Sequence, residues 1–249
     1  MDFNELSNEQ RRQLVDARQI FEAYQAARAR WAHSFAGSMR WVSRKGNEYL
    51  HRKRNKQERS LGRRSLETEA QFRAFHSGRD RLKGELAHLT KRLDSMAPVN
   101  RALGLGRIPT IAARIMRRLD TEGLLDTHLL LVGTNALFAY ESKAGVLLSQ
   151  EFIATDDADL LWDARQRMSL LAPEVRRRGV LGLLQKLDKS FQMRGTNDFR
   201  AFNKDGYFVD LIRPDECDED LEAAPIFGLQ WLVNSPRFRC VGVGQDGYP

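Results

Sequence analysis

Two aspartates separated by one residue, and a third carboxylate inside an apolar segment, constrain this chain more than any other feature. Asp157 and Asp159 lie in segment 155–162, and Asp210 lies in the apolar segment 207–212. Side chains at positions i and i+2 of a strand leave the same face, so we expect Asp157 and Asp159 to point at one place. A carboxylate among large apolar residues is costly to bury without a partner or a metal ion. The pattern therefore predicts neighbouring strands whose three carboxylates form an oxygen-rich pocket suited to Mg²⁺.

A glycine and a hydroxyl residue follow another apolar segment, 129–132. Gly133 and Thr134 are predicted to end a strand and open a helix, where backbone N–H groups bind phosphate. The alternative is that acids at strand ends are solvated or cap a helix, since Asp-x-Asp and Gly-Thr are common pairs. The isolated Asp210 favours the metal site over this alternative.

Two divalent ions held by shared carboxylates suit in-line nucleotidyl transfer, because one activates the attacking oxygen and the other stabilises the leaving pyrophosphate. In this interpretation Asp157 and Asp159 hold both ions, which are Mg²⁺ or Mn²⁺. Asp210 holds the catalytic ion and orients or deprotonates the acceptor. Gly133 and Thr134 bind the β- and γ-phosphates of a nucleoside triphosphate such as ATP.

In these residues the sequence resembles the DNA polymerase β-like nucleotidyltransferase superfamily. The superfamily pattern is a hydrophobic residue, Gly and Gly or Ser, then Asp-x-Asp, then a separate Asp on a later strand. The matching residues are Gly133, Thr134, Asp157, Asp159 and Asp210. Thr134 replaces the usual Ser or Gly but keeps a hydroxyl, and the gap from Gly133 to Asp157 is longer than in minimal members.

A narrower resemblance, to a bacterial family of uncharacterised nucleotidyltransferase-fold proteins, extends from about residue 38 to the end. The segments that carry it are 38–41, 46–50, 60–62, 68–69, 104–109, 133–136, 140–141, 188–191 and 206–211. It implies an α/β (α+β) nucleotidyltransferase fold, a mixed sheet flanked by helices. It implies no particular substrate.

Hydrophobic periodicity predicts a basic helical and β-meander region over residues 1–100 and a catalytic domain over 101–249. Helices are predicted at 5–36, 65–95, 109–123, 134–143 and 173–191, a β-meander at 39–61, and strands at 128–132, 146–153, 156–161, 206–212 and 239–243. A linker is expected at 97–106, where Pro and Gly cluster. The turn at 245–247 predicts a returning strand, so we expect the catalytic domain to be truncated at its C-terminus.

Charge is distributed unevenly along the chain. Residues 1–120 hold 26 Lys and Arg against 13 Asp and Glu, a balance of +13, whereas residues 121–249 have a balance of −6. The basic segment Arg40–Arg64 also contains Trp41 and Tyr49, so nucleic acid is a candidate partner, through phosphate contacts and base stacking. The alternative is a solvated surface with the aromatic residues in a small core.

Two lysines of the predicted helix 173–191, Lys186 and Lys189, are three residues apart and share a face, so they are candidates to neutralise the triphosphate. A solvated helix face is the alternative. The histidines are scattered without partners at useful spacing, and Cys217 and Cys240 form no disulfide framework or metal-ligand pattern. No apolar run is long enough for a membrane span, and no signal peptide is evident, so we expect a cytoplasmic protein.

The sequence therefore predicts an enzyme, a Mg²⁺-dependent nucleotidyltransferase that moves a nucleoside monophosphate onto a hydroxyl. The acceptor, an RNA end, a protein side chain or a small molecule, stays open, as does the oligomeric state. The alternative function is a non-catalytic module that keeps the fold and binds nucleotide or nucleic acid.

Overall fold

The computed structural model describes residues 3–54, 57–162, 173–195, 200–214, 224–226, 232 and 235–249. The chain separates into two compact units, one made of residues 1–14 and 99–249, the other of residues 15–98. The domain boundary placed near residue 100 stays a prediction. Within the described ranges, no helix combines the length and the apolar composition needed to span a lipid bilayer.

The helices and strands run through both units in chain order. They are β1 (Phe3–Glu5), α1 (Asn8–Arg30), β2 (Ser38–Arg44), β3 (Asn47–Arg54), β4 (Gln57–Arg63), α2 (Leu66–Ala102), α3 (Thr110–Thr121), β5 (Leu129–Val132), α4 (Leu137–Ala144), β6 (Val146–Leu148), α5 (Gln150–Ile153), β7 (Asp157–Trp162), α6 (Pro173–Leu187), β8 (Gln192–Met193), β9 (Arg200–Phe202), β10 (Phe208–Pro214) and β11 (Ala224–Ile226). A π-helical turn, Trp31–Phe35, follows α1, and a 3₁₀ turn, Thr134–Ala136, precedes α4.

The unit 15–98 contains the predicted β-meander, an antiparallel sheet of β2, β3 and β4 in that order. One face of this sheet packs on α2, where the rings of Trp41 and Phe72 lie 5.7 Å apart. Leu50, at the centre of β3, is fully buried. The segments of α1 and α2 in this unit are joined by the ion pair of Arg30 and Glu85.

The helix α2 continues to Ala102, past the predicted linker, and contains Pro98. Proline removes one backbone donor from a helix interior, which is why the sequence predicted an earlier end. The last turn is held by a tertiary contact: Asn100 is fully buried and its Nδ2 donates to the carbonyl of Gly247 at 2.7 Å. Local sequence patterns cannot show such a contact.

A mixed sheet forms the centre of the other unit, with strand order β5-β7-β10-β9-β8 and β11 also paired with β10. β7 and β10 are parallel, and β5 and β9 are antiparallel to their neighbours. The helices α3 and α6 cover one face. The core between sheet and helices includes Ile115, Leu160, Leu184 and Val209, each almost inaccessible to solvent. The predicted mixed sheet flanked by helices is confirmed.

Two predicted strands differ from the structure. The strand expected at 146–153 is β6 followed by the short helix α5, and β6 pairs with β1 rather than with the central sheet. The segment 239–243 forms no strand. Its end is held at the carbonyl of Val243, which accepts from the backbone N–H groups of Arg107 and Ile108 at 3.0 and 3.1 Å. The turn expected at 245–247 is present.

Candidate active site

The parallel pairing of β7 and β10 places Asp210 directly beside Asp159. The same register pairs Asp157 with Phe208. Neighbouring strands lie about 4.8 Å apart and paired residues share a face, so all three carboxylates leave the same side of the sheet. The alternate residues Ala158 and Val209 point into the core on the other side. The structure thus brings Asp157, Asp159 and Asp210 together at one place.

This acidic face becomes apolar further along the strands. Leu161 and Ile212, each two residues beyond an aspartate, are buried together with Val132 and Leu130 of β5 packed against them. The aspartates therefore lie where the buried apolar part of this sheet face ends and the solvent-accessible part begins. Asp210 is the most enclosed of the three, with a side chain that is 8% exposed.

The carboxylates are crowded. Burial raises the pKa of Asp159, and the negative charges of Asp157 and Asp210 raise it further, while Arg200 lowers it. The hydroxyl of Thr155 donates to Oδ1 of Asp157. A carboxylate whose pKa is raised by like charges is one that a bound cation would stabilise in its ionised form.

Gly133 ends β5 at the position where that strand meets Asp159, because Val132 pairs with Asp159. Its backbone has φ +65°, which residues with a side chain rarely adopt. A Cβ added to Gly133 would lie 2.1 Å from Oδ2 of Asp159. Only glycine leaves the carboxylate this room, and Thr134 follows as the first residue of the 3₁₀ turn.

Asn135 and Tyr207 hold the backbone of the site at Asp157, and the sequence analysis did not identify them. Both side chains are buried, and the Nδ2 of Asn135 and the Oη of Tyr207 donate to the backbone carbonyl of Asp157. Burial raises the pKa of Tyr207. Oδ1 of Asn135 is buried and accepts no hydrogen bond within the part of the chain that the structure describes. The available sequence signal was an asparagine directly after the Gly-Thr pair, before the apolar residues of α4.

Arg200 is the other residue that the sequence analysis missed. Its Nε donates to Oδ1 of Asp210 at 2.7 Å and its terminal nitrogen donates to Oδ2 at 2.5 Å. Arg200 and Asp210 face each other across the antiparallel pair of β9 and β10. The turn residues Asp205-Gly206 indicate a hairpin, which closes between Asn203 and Tyr207 around the three-residue loop 204–206, and counting outward from that pair places residue 200 opposite residue 210. The buried carboxylate of Asp210 therefore has an arginine as its partner in this structure, which satisfies the need for a partner or a metal ion that its burial implied.

The structure does not bring Lys186 and Lys189 onto the face of the aspartates. Lys186 lies on α6, whose buried residues Leu183 and Leu184 pack on the opposite face of the sheet. Lys189 follows in an exposed turn that leads to β8, the outermost strand. That Lys186 and Lys189 contact a triphosphate stays a prediction, and their position away from the face of the aspartates disfavours it.

The basic segment Arg40–Arg64 divides into two kinds of side chain. Arg52 and Arg54 donate to backbone carbonyls of Ser34 and Ala32, in the π-helical turn after α1, and so hold the fold of their unit. Arg40 pairs with Glu58, and Arg64 pairs with Glu48 and Glu69. The cations with no side-chain partner among the described residues are Arg44, Lys45, Lys53, Arg59 and Arg63. Lys56 lies outside those residues.

Within the described ranges, no group of three or more His, Cys, Asp or Glu side chains is arranged ready to hold a metal ion. Arg200 is hydrogen-bonded to both oxygens of Asp210. Of the three carboxylates, those of Asp157 and Asp159 therefore remain available to bind an ion. The donor set still fits a hard divalent ion, because it consists of carboxylates that share one face and crowd one another. The absence of a side chain at Gly133 lets the carboxylate of Asp159 lie directly against the glycine turn.

The mixed sheet flanked by helices has the α/β architecture expected of a nucleotidyltransferase. A family model described as nucleotidyltransferase matches residues 110–249, more than half of the chain. The chain belongs to this nucleotidyltransferase family. No match was found among curated proteins or among solved structures.

Proposed function

We propose that this protein is a Mg²⁺-dependent enzyme that transfers a nucleoside monophosphate from a nucleoside triphosphate to a hydroxyl group, with Mn²⁺ as an alternative ion. The observation that carries the proposal is the parallel register in which Asp210 lies beside Asp159 while Asp157 shares their face. Membership of a nucleotidyltransferase family supports the reaction class. The donor, the ion and the acceptor are parts of the proposal.

Each residue of the site has a distinct task. Asp157 and Asp159 would hold the divalent ions, which when bound would activate the attacking oxygen and stabilise the leaving pyrophosphate. Asp210 would hold the catalytic ion together with them, and it would orient the acceptor hydroxyl or accept its proton. The backbone turn at Gly133 and Thr134 would bind the β- and γ-phosphates, since N–H groups that open a helical turn favour anions.

One observation favours a different function. Because Arg200 neutralises Asp210 and no complete set of metal ligands stands ready among the described residues, the chain also suits a non-catalytic module that binds nucleotide or nucleic acid. The two functions differ in what Asp210 does. A binding module needs Asp210 only for stability, whereas the enzyme needs it for chemistry.

Asp210→Ala separates these functions. In the enzyme this change should abolish pyrophosphate release from labelled nucleoside triphosphates and spare nucleotide binding, measured by thermal shift with Mg²⁺. Asp156→Asn is the control, because Asp156 is exposed immediately before β7, close to the site, and is not part of the trio. Absence of pyrophosphate release from the unmodified protein with every nucleoside triphosphate and with cell lysate as acceptor would favour the binding module.

We also propose that nucleic acid binds to the exposed cations of the basic segment, Arg44, Lys45, Lys53, Arg59 and Arg63. Their side chains are exposed on the β-meander. Phosphate contacts of this kind require accessible cations and no base-specific geometry. Arg52 and Arg54 are excluded from this surface, because their guanidinium groups hold backbone carbonyls.

A further inference from the structure

We propose that Arg200 and a divalent cation compete for Asp210. The guanidinium is hydrogen-bonded to the carboxylate when no metal is bound, and it leaves the carboxylate when the metal binds. This inference rests on the proposed function, because it assumes that Asp157, Asp159 and Asp210 hold the metal. It assigns to Arg200 a role that neither the family match nor the superfamily pattern contains. Arg200 is a positioning residue in this scheme.

The first argument is the geometry of the pair. Two parallel hydrogen bonds, of 2.7 and 2.5 Å, occupy both oxygens of Asp210. Charge-assisted, two-point contacts of arginine with a carboxylate are among the stronger polar interactions in proteins. A metal ion that needs an oxygen of Asp210 must break at least one of these bonds.

The second argument is the unequal burial of the partners. The side chain of Asp210 is 8% exposed, whereas that of Arg200 is 49% exposed. The carboxylate is fixed inside the sheet and would be left as a buried charge without a partner. The side chain of Arg200 already contacts solvent, so moving the guanidinium into water costs less than leaving the buried carboxylate without a partner. Exchange of partners therefore moves the arginine and leaves the aspartate in place.

The third argument is what surrounds the pair. The guanidinium carbon of Arg200 lies 5.3 Å from the ring centroid of Phe208, which shares a face with Asp210 and pairs with Asp157. An aromatic face attracts a cation, so Phe208 offers Arg200 contact after it leaves the carboxylate. Asp159 lies beside Asp210 and two residues from Asp157 on the same face of the sheet, and this crowding of three carboxylates favours entry of a cation. The site thus contains both a further contact for the released guanidinium and a reason for a cation to bind.

The test is the Mg²⁺ affinity of the full chain without nucleotide, measured by calorimetry for the unmodified protein and for Arg200→Gln. Removing the competing cation should tighten Mg²⁺ binding about tenfold, as expected for loss of one charge-assisted interaction. The melting temperature of Arg200→Gln in EDTA should fall, because Asp210 loses its partner, and saturating Mg²⁺ should restore it. Arg200→Lys, which keeps the charge without the two-point contact, should lie between the two in Mg²⁺ affinity.

Arg194→Gln is the matched control for net charge. Its guanidinium carbon lies 5.8 Å from the ring centroid of Phe202, on the neighbouring part of the same sheet. It should change Mg²⁺ affinity less than about twofold, since exposed charges at a distance are screened by salt. A change as large as that of Arg200→Gln would show that net charge alone is responsible and would overturn the exchange.

The remaining outcomes are distinct. If the unmodified protein binds Mg²⁺ and Arg200→Gln binds it equally or more weakly, the exchange is wrong and the proposed enzyme function stands. If neither protein binds Mg²⁺ or Mn²⁺, with or without nucleoside triphosphate, the proposed function fails and the exchange fails with it. Should Arg200→Gln not fold, the affinity of Arg200→Lys decides in the same way.

Discussion

Gly133 lies directly against the carboxylate of Asp159, so closely that a Cβ at position 133 would be 2.1 Å from Oδ2. This contact joins the glycine turn after β5 to the acidic strand β7. The residue proposed to bind phosphate and the residue proposed to bind metal are therefore one structural unit. Changing either one should disturb the other.

Gly133→Ala should destabilise the protein and remove its Mg²⁺ affinity. The added methyl group meets Asp159, and the backbone at φ +65° disfavours a side chain. Gly123→Ala is the matched control, because its φ is +69° with nothing within 4 Å of the added Cβ. We expect a loss of about 1–2 kcal/mol for Gly123→Ala from the backbone alone. A further loss of about 1–3 kcal/mol is expected for Gly133→Ala, from overpacking against Asp159 and from its ψ of −158°, which together with its positive φ is a conformation that essentially only glycine adopts. Chemical unfolding measures both, and equal losses would contradict the contact.

Asp159→Asn should abolish nucleotidyl transfer and yet stabilise the metal-free protein at neutral pH. Because the folded-state pKa of Asp159 is raised, the folded protein binds its proton more readily than the unfolded chain does. The resulting penalty on stability grows as pH rises through the unfolded value of about 3.9 and is complete above the folded pKa. The advantage of Asp159→Asn should therefore vanish below that range.

Denaturant unfolding in EDTA at neutral and acidic pH checks this prediction. Asp156→Asn controls for removal of one negative charge from the same region, because Asp156 is exposed. Saturating Mg²⁺ should reverse the order of stability, since the unmodified protein then gains the binding energy of the ion. An unmodified protein that is more stable than Asp159→Asn in EDTA at pH 7 would contradict the crowding of the carboxylates.

Asp188→Asn should lower stability at neutral pH and have little effect in strong acid. The carboxylate of Asp188 accepts from the backbone N–H and the hydroxyl of Ser190, at 2.9 and 2.8 Å, and the N–H bond is the larger cause that lowers its pKa. A lowered folded-state pKa contributes stability above the unfolded value, and this contribution is lost as pH falls through the folded value. Melting temperature as a function of pH measures it. Ser190→Ala, which keeps the backbone donor, should show a smaller loss over the same window.

Nucleic-acid binding by the basic segment should depend on salt through its exposed cations. Replacing Arg44, Arg59 and Arg63 with Gln should reduce the slope of log K against log salt by about 2 for single-stranded RNA, since each phosphate contact contributes about 0.7. Melting temperature should stay close to that of the unmodified protein.

Arg52→Gln with Arg54→Gln is the contrasting pair for that experiment. Both arginines donate to carbonyls of the π-helical turn, so this change should lower the melting temperature. If this double variant folds, it should change the salt dependence of nucleic-acid binding less than replacement of Arg44, Arg59 and Arg63 does. Binding that is independent of salt, or no binding to RNA or DNA at low salt, would leave a solvated surface as the function of these cations.

Features that depend on neighbours in sequence were predictable. Alternation along a strand placed Asp157 and Asp159 on one face, and short strands separated by turn residues indicated the sheet of β2, β3 and β4. Helix α3, which ends before Gly123, is also close to its prediction. Each of these follows from the period of a strand or helix, or from the backbone preference of a turn residue.

Features that depend on partners distant in sequence were decided by the tertiary structure. The sequence suggested that Asp210 would join Asp157 and Asp159, but the register of β7 against β10 determines which residue lies beside it. The packing of α6 places Lys186 on the other face of the sheet, which helical periodicity cannot reveal. The pairing of β9 with β10 gives Asp210 an arginine as its partner. Strand register and helix placement are set by packing across the whole core, and a one-residue shift would turn every side chain of a strand to the opposite face.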